Sequence, residues 1–436
     1  MPRLTVRPIL AGLFLVVLVG AAIAWIARRP IADAAIRRAI EARGVEASYT
    51  VKSIGLRWER IENLRIGDPR SPDLTAQWAE IQVSAGFGGV GLRAVRAGGV
   101  RLRGRIIDGQ LSFGQIDKLL GKRDANIPFS LPDLYVDVAD ARVRIDSPWG
   151  QFGGRIDGKG NLANGFAGKL AAVASTLRVS DCNAQQVTAY VDVVVRNREP
   201  KLKGPVRANS AQCAGVLAAN PAFGVDVALS AALDRWRGSA AIEAQGVENA
   251  QAVIAGLTGR VSFDGTAADT RGSATLSADA GRFGTTRLSG LGVTGQFATK
   301  SAFSGQGTIQ VARLLPDAGV AGRLESAARS AADTPVGPLL TQLAKATRGA
   351  SSGLAVTADA KFSNGDTVIS SFQAKSASGA VLQAGGGSGI RFGAAGFVAD
   401  TQLQLSGGGF PGVQSDRKST RLNSSHSTLS RMPSSA

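Results

Sequence analysis

From about Ala47 onward, apolar and polar residues alternate in short runs, and this period of two limits the possible folds more than any other feature of the chain. The clearest stretches are Val100–Ile106 (VRLRGRI), Leu134–Val138 (LYVDV), Ala141–Ile145 (ARVRI), Val187–Val195 (VTAYVDVVV) and Val225–Leu233 (VDVALSAAL). Successive side chains on a strand point to opposite faces, so each stretch predicts a strand with one aliphatic and one polar face. In VRLRGRI, Arg101, Arg103 and Arg105 share one side, while Val100, Leu102 and Ile106 share the other. A slip of one residue would bury three charges, which pins the register.

Turn signals separate these stretches: IDG at 107–109, NG at 164–165, FDG at 263–265 and FSNGD at 362–366. The last is the sharpest, because Asn364-Gly365 suits a type I′ hairpin turn. The 55 glycines, an aromatic content of only 6% and a hydrophobic content of 44% fit many short strands joined by tight turns, in mostly antiparallel hairpins and meanders. No repeat of fixed length marks a propeller or β-helix.

Two segments break the pattern. Ile9–Ala27 (ILAGLFLVVLVGAAIAWIA) is uninterruptedly apolar, with Ile9, Leu13, Val16, Leu18, Ile23 and Ile26 among its eleven large aliphatic or Phe residues. At roughly 0.3 to 0.6 kcal/mol each they favour insertion, and the length predicts a transmembrane anchor. Ala22 and Ala24 would suit a leader peptidase, but the run is longer than the usual leader core. Two arginines flank each end, so charge leaves the orientation balanced. The exported character of the body places residues 1–8 in the cytoplasm and the body outside it. Ile31–Arg43 (IADAAIRRAIEAR) then predicts a short amphipathic helix stopped by Gly44.

The second break, residues 317–348, carries Val320, Leu324, Ala327 and Ala331, then Val336, Leu339, Leu340 and Leu343, a helical spacing interrupted at Thr334-Pro335. Two short inserted helices fit it, either gating an apolar groove or covering a sheet face. The tail 417–436 shows no alternation and resembles a translated sequencing adapter, so residues 47–415 are taken as the body. Without Arg417, Lys418, Arg421 and Arg431 the net charge falls from +17 to +13.

Several chemistries drop out. The only histidine, His426, lies in that tail, which removes the commonest general base and most zinc sites; no enzymatic activity, metal or cofactor is expected. Carboxylates alone would suffice only for glycosidase-type chemistry, and no pair is identifiable from spacing. Arginines are spread singly rather than in runs beside aromatics, so no nucleic-acid partner is expected. The glycine clusters 385–387 and 407–409 lack the Lys and Ser or Thr of a nucleotide loop. Cys182 and Cys213 predict one disulfide in an exported body; two buried free thiols are the other arrangement open to them.

With Ile54–Asp68 (IGLRWERIENLRIGD), Leu74–Val83 (LTAQWAEIQV) and the pair Val100–Leu111 and Leu134–Ile145, the architecture over residues 1–415 resembles the AsmA-like superfamily, most closely its YdbH-like intermembrane phospholipid transport proteins. The resemblance implies a mainly β fold: a transmembrane helix, then a long, curved, mostly antiparallel sheet, taco-like in section, with a short helical insertion; at about 10 to 14 residues per strand and turn, residues 47–315 and 353–405 give roughly 25 strands. It also implies a non-enzymatic conduit in the inner membrane of a Gram-negative bacterium, carrying phospholipid acyl chains across the periplasm. An outer-membrane lipoprotein would be engaged by strand addition through a C-terminal part that this chain lacks. The candidate lining is Val100, Leu102, Ile106, Leu134, Val136, Val138, Val143, Ile145, Val187, Val191, Val193, Val225, Val227 and Leu229. Periodicity alone equally allows these residues to be a sandwich core; the resemblance implies an open groove. A scaffold assisting outer-membrane protein assembly is the alternative function.

Overall fold

The computed structural model describes residues 41–54, 58–86, 89–107, 110–120, 130–300, 302–333, 336–349, 352–363, 365–393 and 396–407. The apolar run 9–27, residues 31–40 of the expected amphipathic helix and the tail 417–436 lie outside these residues. Among the described residues no helix is long and apolar enough to cross a membrane. The fold is mainly β and mainly antiparallel, with twenty-three strands among the described residues. It divides into two compact units: residues up to Arg178 with Thr188–Leu202, and Val179–Val187 with Lys203 onward.

In the first unit, β1 (Ala47–Ile54), β2 (Glu59–Ile66), β3 (Leu74–Gly86) and β4 (Gly89–Gly98) form an antiparallel meander. β5 (Arg101–Ile107) pairs with β3 and with β6 (Gln110–Ser112), which leads into the short helix α1 (Ile116–Leu120). β7 (Tyr135–Ser147) then departs from the expected meander by running parallel to both β4 and β5. The reason lies in the chain path: β4 and β5 follow one another along β7, separated by a kink at Gly99, whose φ of 64° favours glycine. β8 (Gly150–Asn161) and β9 (Ala167–Val179) restore antiparallel order.

Two β-bulges keep the aliphatic residues of this unit on one face. LYVDV carries its apolar residues at even positions and ARVRI at odd ones, so an unbroken strand would turn one set outward. The ladder instead gains one residue between Val138 and Ala141, where Asp140 adopts φ 52°. The same device appears at Asn63, φ 55°, between Ile61 and Leu64. Asn and Asp tolerate this left-handed conformation better than other non-glycine residues. Ile61, Ala79 and Ala97 then pack as a small core with Tyr49, Val51, Leu64, Ile81 and Val100 around it.

On the opposite face, charges of alternating sign cross the strands: Lys52–Glu62 at 3.4 Å, Arg60–Glu80 at 3.2 Å, and Arg96 3.9 Å from both Glu80 and Asp137. Arg60 lies over Trp78 and Arg96 over Trp58. Pairs this exposed contribute little energy individually, but mismatched signs would oppose any other register.

Asp140 gathers three arginines: Arg101 donates to it at 2.8 Å and Arg142 at 3.0 Å, and Arg155 lies 3.4 Å away. The hydrogen bonds from Arg142 and Arg101 hold its carboxyl below the ordinary value, while Asp157 is lowered chiefly by the Asp140 amide. A lowered carboxyl stabilises the fold while ionised, and that contribution is lost as pH falls through the folded value. Asp140→Asn is therefore expected to lower the melting temperature at pH 7. Its difference from wild type should shrink below about pH 4, as read by circular dichroism melts across a pH series.

In the second unit, β12 (Ser210–Cys213) pairs with residues 182–185 of β10 (Cys182–Arg196) and with β13 (Val216–Ala219). Cys182 and Cys213 stand opposite each other in that register and are disulfide-bonded. Strands β14 (Ala222–Leu229), β15 (Arg235–Glu248), β16 (Ala252–Thr266), β17 (Thr270–Phe283), β18 (Thr286–Thr299), β19 (Phe303–Leu315), β20 (Leu354–Ser363), β21 (Asp366–Ser376), β22 (Val381–Gly393) and β23 (Gly396–Ser406) each pair antiparallel with the next. The stretch expected to run to Leu233 stops at Leu229, because the chain turns at Ser230 and Leu233 takes φ 61°. Between β19 and β20 the chain makes an excursion into α2 (Ala318–Ser330) and α3 (Val336–Gly349). It leaves and returns at paired Leu314 and Leu354, so the ladder continues beneath it. The helices pack chiefly on each other, with Ala321, Ala328 and Ala344 buried and Arg348 paired with Glu325.

Candidate functional site

Antiparallel register in the second unit sorts its residues into two chemically opposite faces. One row of directly opposed positions from β14 to β22 reads Phe223, Ile242, Gly259, Leu276, Val293, Ile309, Ala358, Phe372, Ala384. The next row on the same face reads Val225, Ala240, Val261, Ala274, Gly295, Gly307, Ala360, Ile369, Ile390. No polar side chain interrupts either row. At about 4.8 Å per strand the nine strands span roughly 38 Å of continuous apolar surface.

A third row adds aromatics: Val227, Gly238, Phe263, Gly272, Phe297, Gly305, Phe362, Thr367, Phe392. Phenylalanine recurs on every second strand from β16 to β22, beside glycine or threonine. The glycine makes room for the ring, since a Cβ on Gly272 would sit 2.4 Å from Phe297 Cζ. Phe303 bridges neighbouring rings, 6.2 Å from Phe297 and 5.8 Å from Phe362 between centroids. Phe303, Phe362 and Phe392 are exposed at 52%, 38% and 44%, giving this margin an open aromatic edge.

The other face is mainly polar, with Ala241, Ala298 and Val368 among its positions. Intervening positions carry Glu243, Thr258, Ser277, Gly292, Gln310, Thr357, Gln373 and Gln383, with hydroxyl bonds such as Thr258–Ser277 at 3.0 Å and Thr308–Asp359 at 2.7 Å. A shallow depression of about 680 Å³ is lined by residues of both parities, Ser277, Asp279, Gln310 and Thr357 with Leu291, Val311 and Val356. No group of three or more metal-ligating side chains occurs among the described residues.

Burial along this apolar face is uneven: Ala240, Ala358 and Ala384 are buried, and the larger side chains of the first two rows are half-buried. A second layer would bury its valines, leucines and isoleucines completely. Instead, no large side chain among the described residues is fully buried. Of the fourteen residues singled out from the sequence, Val191 is 4% exposed and the other thirteen are half-buried. Leu134, Val136 and Val138 reach the face of Val143 and Ile145 through the bulge at Asp140; Leu102 stands opposite Val143, and Ile106 shares its parity. Val187, Val191 and Val193 share one parity on β10, and Val225, Val227 and Leu229 stand opposite Ala240, Gly238 and Trp236.

Alternation did not reveal Ile242, Leu276, Val293, Ile309 or the four phenylalanines of the third row. Their strands mix Gly, Ala and Ser into apolar-face positions, as in TRGSATLSADAGRF, which flattens the hydropathy contrast. The readable signal was the Phe placed just before a turn in SFDG, KFSNG and RFG.

A family model described as YdbH-like, intermembrane phospholipid transport protein YdbH, matches residues 15–408. The chain belongs to the YdbH-like family. Neither a curated protein nor a solved structure matches it. The match spans both units, so the apolar rows of this YdbH-like chain lie within the family's common body. Membership assigns it to phospholipid transport between membranes, a function of the cell envelope.

Proposed function

We propose that this YdbH-like chain is a non-enzymatic lipid conduit, anchored in the inner membrane by residues 9–27, whose apolar face shields acyl chains in the periplasm. The observation carrying this reading is the uninterrupted apolar surface across nine strands, whose larger side chains are half-buried rather than fully buried. An apolar surface of this extent that is not fully buried supports a binding role. The ligand chemistry requires such a surface. A diacyl lipid with about 30 methylenes costs on the order of 25 kcal/mol to expose to water. Hydrogen-bonded strands offer a continuous apolar track along which a chain slides without crossing a polar group. The fourteen sequence-derived residues and the rows of the second unit are proposed as acyl-chain contacts, each within its own unit.

Photocrosslinking tests this. A photoreactive residue at Ile309 is expected to give phospholipid adducts in cells, whereas one at neighbouring Gln310, on the polar face, gives none. Equal labelling at the two positions, or no lipid adduct at Ile309, overturns the proposal. Adducts to an outer-membrane barrel protein in place of lipid would favour the assembly-scaffold reading.

A further inference from the structure

The first unit carries, on its polar face, a cavity of about 240 Å³ whose lining includes Arg103, Arg105, Arg144, Ser71, Asp73 and Asp146. Arg103 and Arg144 stand directly opposite each other in the parallel β5–β7 ladder, and Arg105, the next residue on the same face, stands opposite Asp146. Like charges in opposed positions destabilise a sheet unless something neutralises them. The neighbouring arginines solve this internally, because Arg101, Arg142 and Arg155 converge on Asp140. The cavity has no equivalent hub. Asp146 lies 3.6 Å from Arg144 and also accepts from Gln151, while Asp73 accepts the backbone amide of Gln115 at 2.9 Å. Arg103 is oriented by the Ser71 hydroxyl at 2.7 Å, and among the described residues no carboxylate lies within ion-pair distance of either Arg103 or Arg105.

We propose that this cavity binds a phosphate group, supplied either by a lipid headgroup or by a free phosphate. Planar guanidinium forks match phosphate oxygens two at a time. The space, about eight water volumes at roughly 30 Å³ each, admits a phosphate with a small alcohol attached. The site lies on the face opposite Leu102, Val143 and Ile145, so it is independent of the apolar surface proposed to hold acyl chains. Being exposed to solvent, it is expected to weaken as salt rises.

The test is calorimetric titration of the full chain in a neutral detergent, with two probes that lack acyl chains: inorganic phosphate and glycerophosphoglycerol. Wild type is expected to bind at least one saturably, and Arg103→Gln with Arg105→Gln to weaken that binding at least tenfold. Arg105→Lys, which keeps the charge but loses the fork, is expected to fall between them. Arg271→Gln with Arg282→Gln, on exposed positions of the second unit, should bind as wild type does. Tighter binding of glycerophosphoglycerol assigns the site to a lipid headgroup, and equal or tighter binding of inorganic phosphate assigns it to the free ion. Absence of saturable binding of both probes by wild type, or unchanged binding by the folded double variant, overturns the proposal whether or not the apolar face carries lipid.

Discussion

Val293→Asp in the full chain is expected to reduce co-purifying phospholipid at least tenfold, measured by lipid extraction and mass spectrometry against protein amount. Val293 sits mid-row between Leu276 and Ile309, so a carboxylate there would meet hydrocarbon on both sides. Desolvating an ionised carboxylate costs several kcal/mol, and about 1.4 kcal/mol already corresponds to a tenfold loss. The adjacent Thr294→Asp supplies the control, because it places the same charge on the same strand but on the polar face beside Thr275 and Thr308. Equal lipid content in the two variants would mean that the face has no part in carriage. A loss confined to Val293→Asp would show that acyl chains contact the apolar row.

The second large effect concerns Cys182 and Cys213. Replacing both by serine is expected to lower the stability of the second unit by about 3 to 4 kcal/mol, from the chain-entropy cost of closing a loop of this length. The sequence separation is 31 residues, and the strand they secure, β12, is only four residues long. A strand this short contributes little hydrogen-bonded surface of its own and depends on its cross-link to stay paired. Denaturant midpoints measure the effect. Reductant should shift wild type by the same amount and leave the double variant unmoved. A wild type indifferent to reductant would mean that the thiols stand unbonded in solution.

Much of the first unit could be read directly from residues. Arg101, Arg103 and Arg105 against Leu102 and Ile106 defined both faces of β5, and the structure keeps that division. The two helices at 318–330 and 336–349 fall where helical spacing put them, but their mutual packing depends on how Ala321, Ala328 and Ala344 meet in space. The phase change between LYVDV and ARVRI was visible, yet its resolution required a bulge and three arginines from different strands. Parallel pairing of β7 with both β4 and β5 was not readable, since it is a relation between strands that no local period encodes.

The candidate site divides the same way. Isolated runs such as VDVAL announced an apolar side, whereas the rows through Val293 and Ile309 were hidden by glycine and alanine. Small residues there are not weak strand positions but clearances, as Gly272 shows beneath Phe297.

By itself, the sequence determined which side of each strongly alternating strand is apolar, where helices interrupt the strands, and that an apolar run precedes the body, because these follow from local period and composition. Only the tertiary structure decided that Phe223, Val293 and Phe372, from strands far apart in the chain, fall on one line. The physical reason is that strand pairing is a relation between distant segments. Local alternation gives each strand its two faces, but hydrogen-bonded register aligns those faces into a surface.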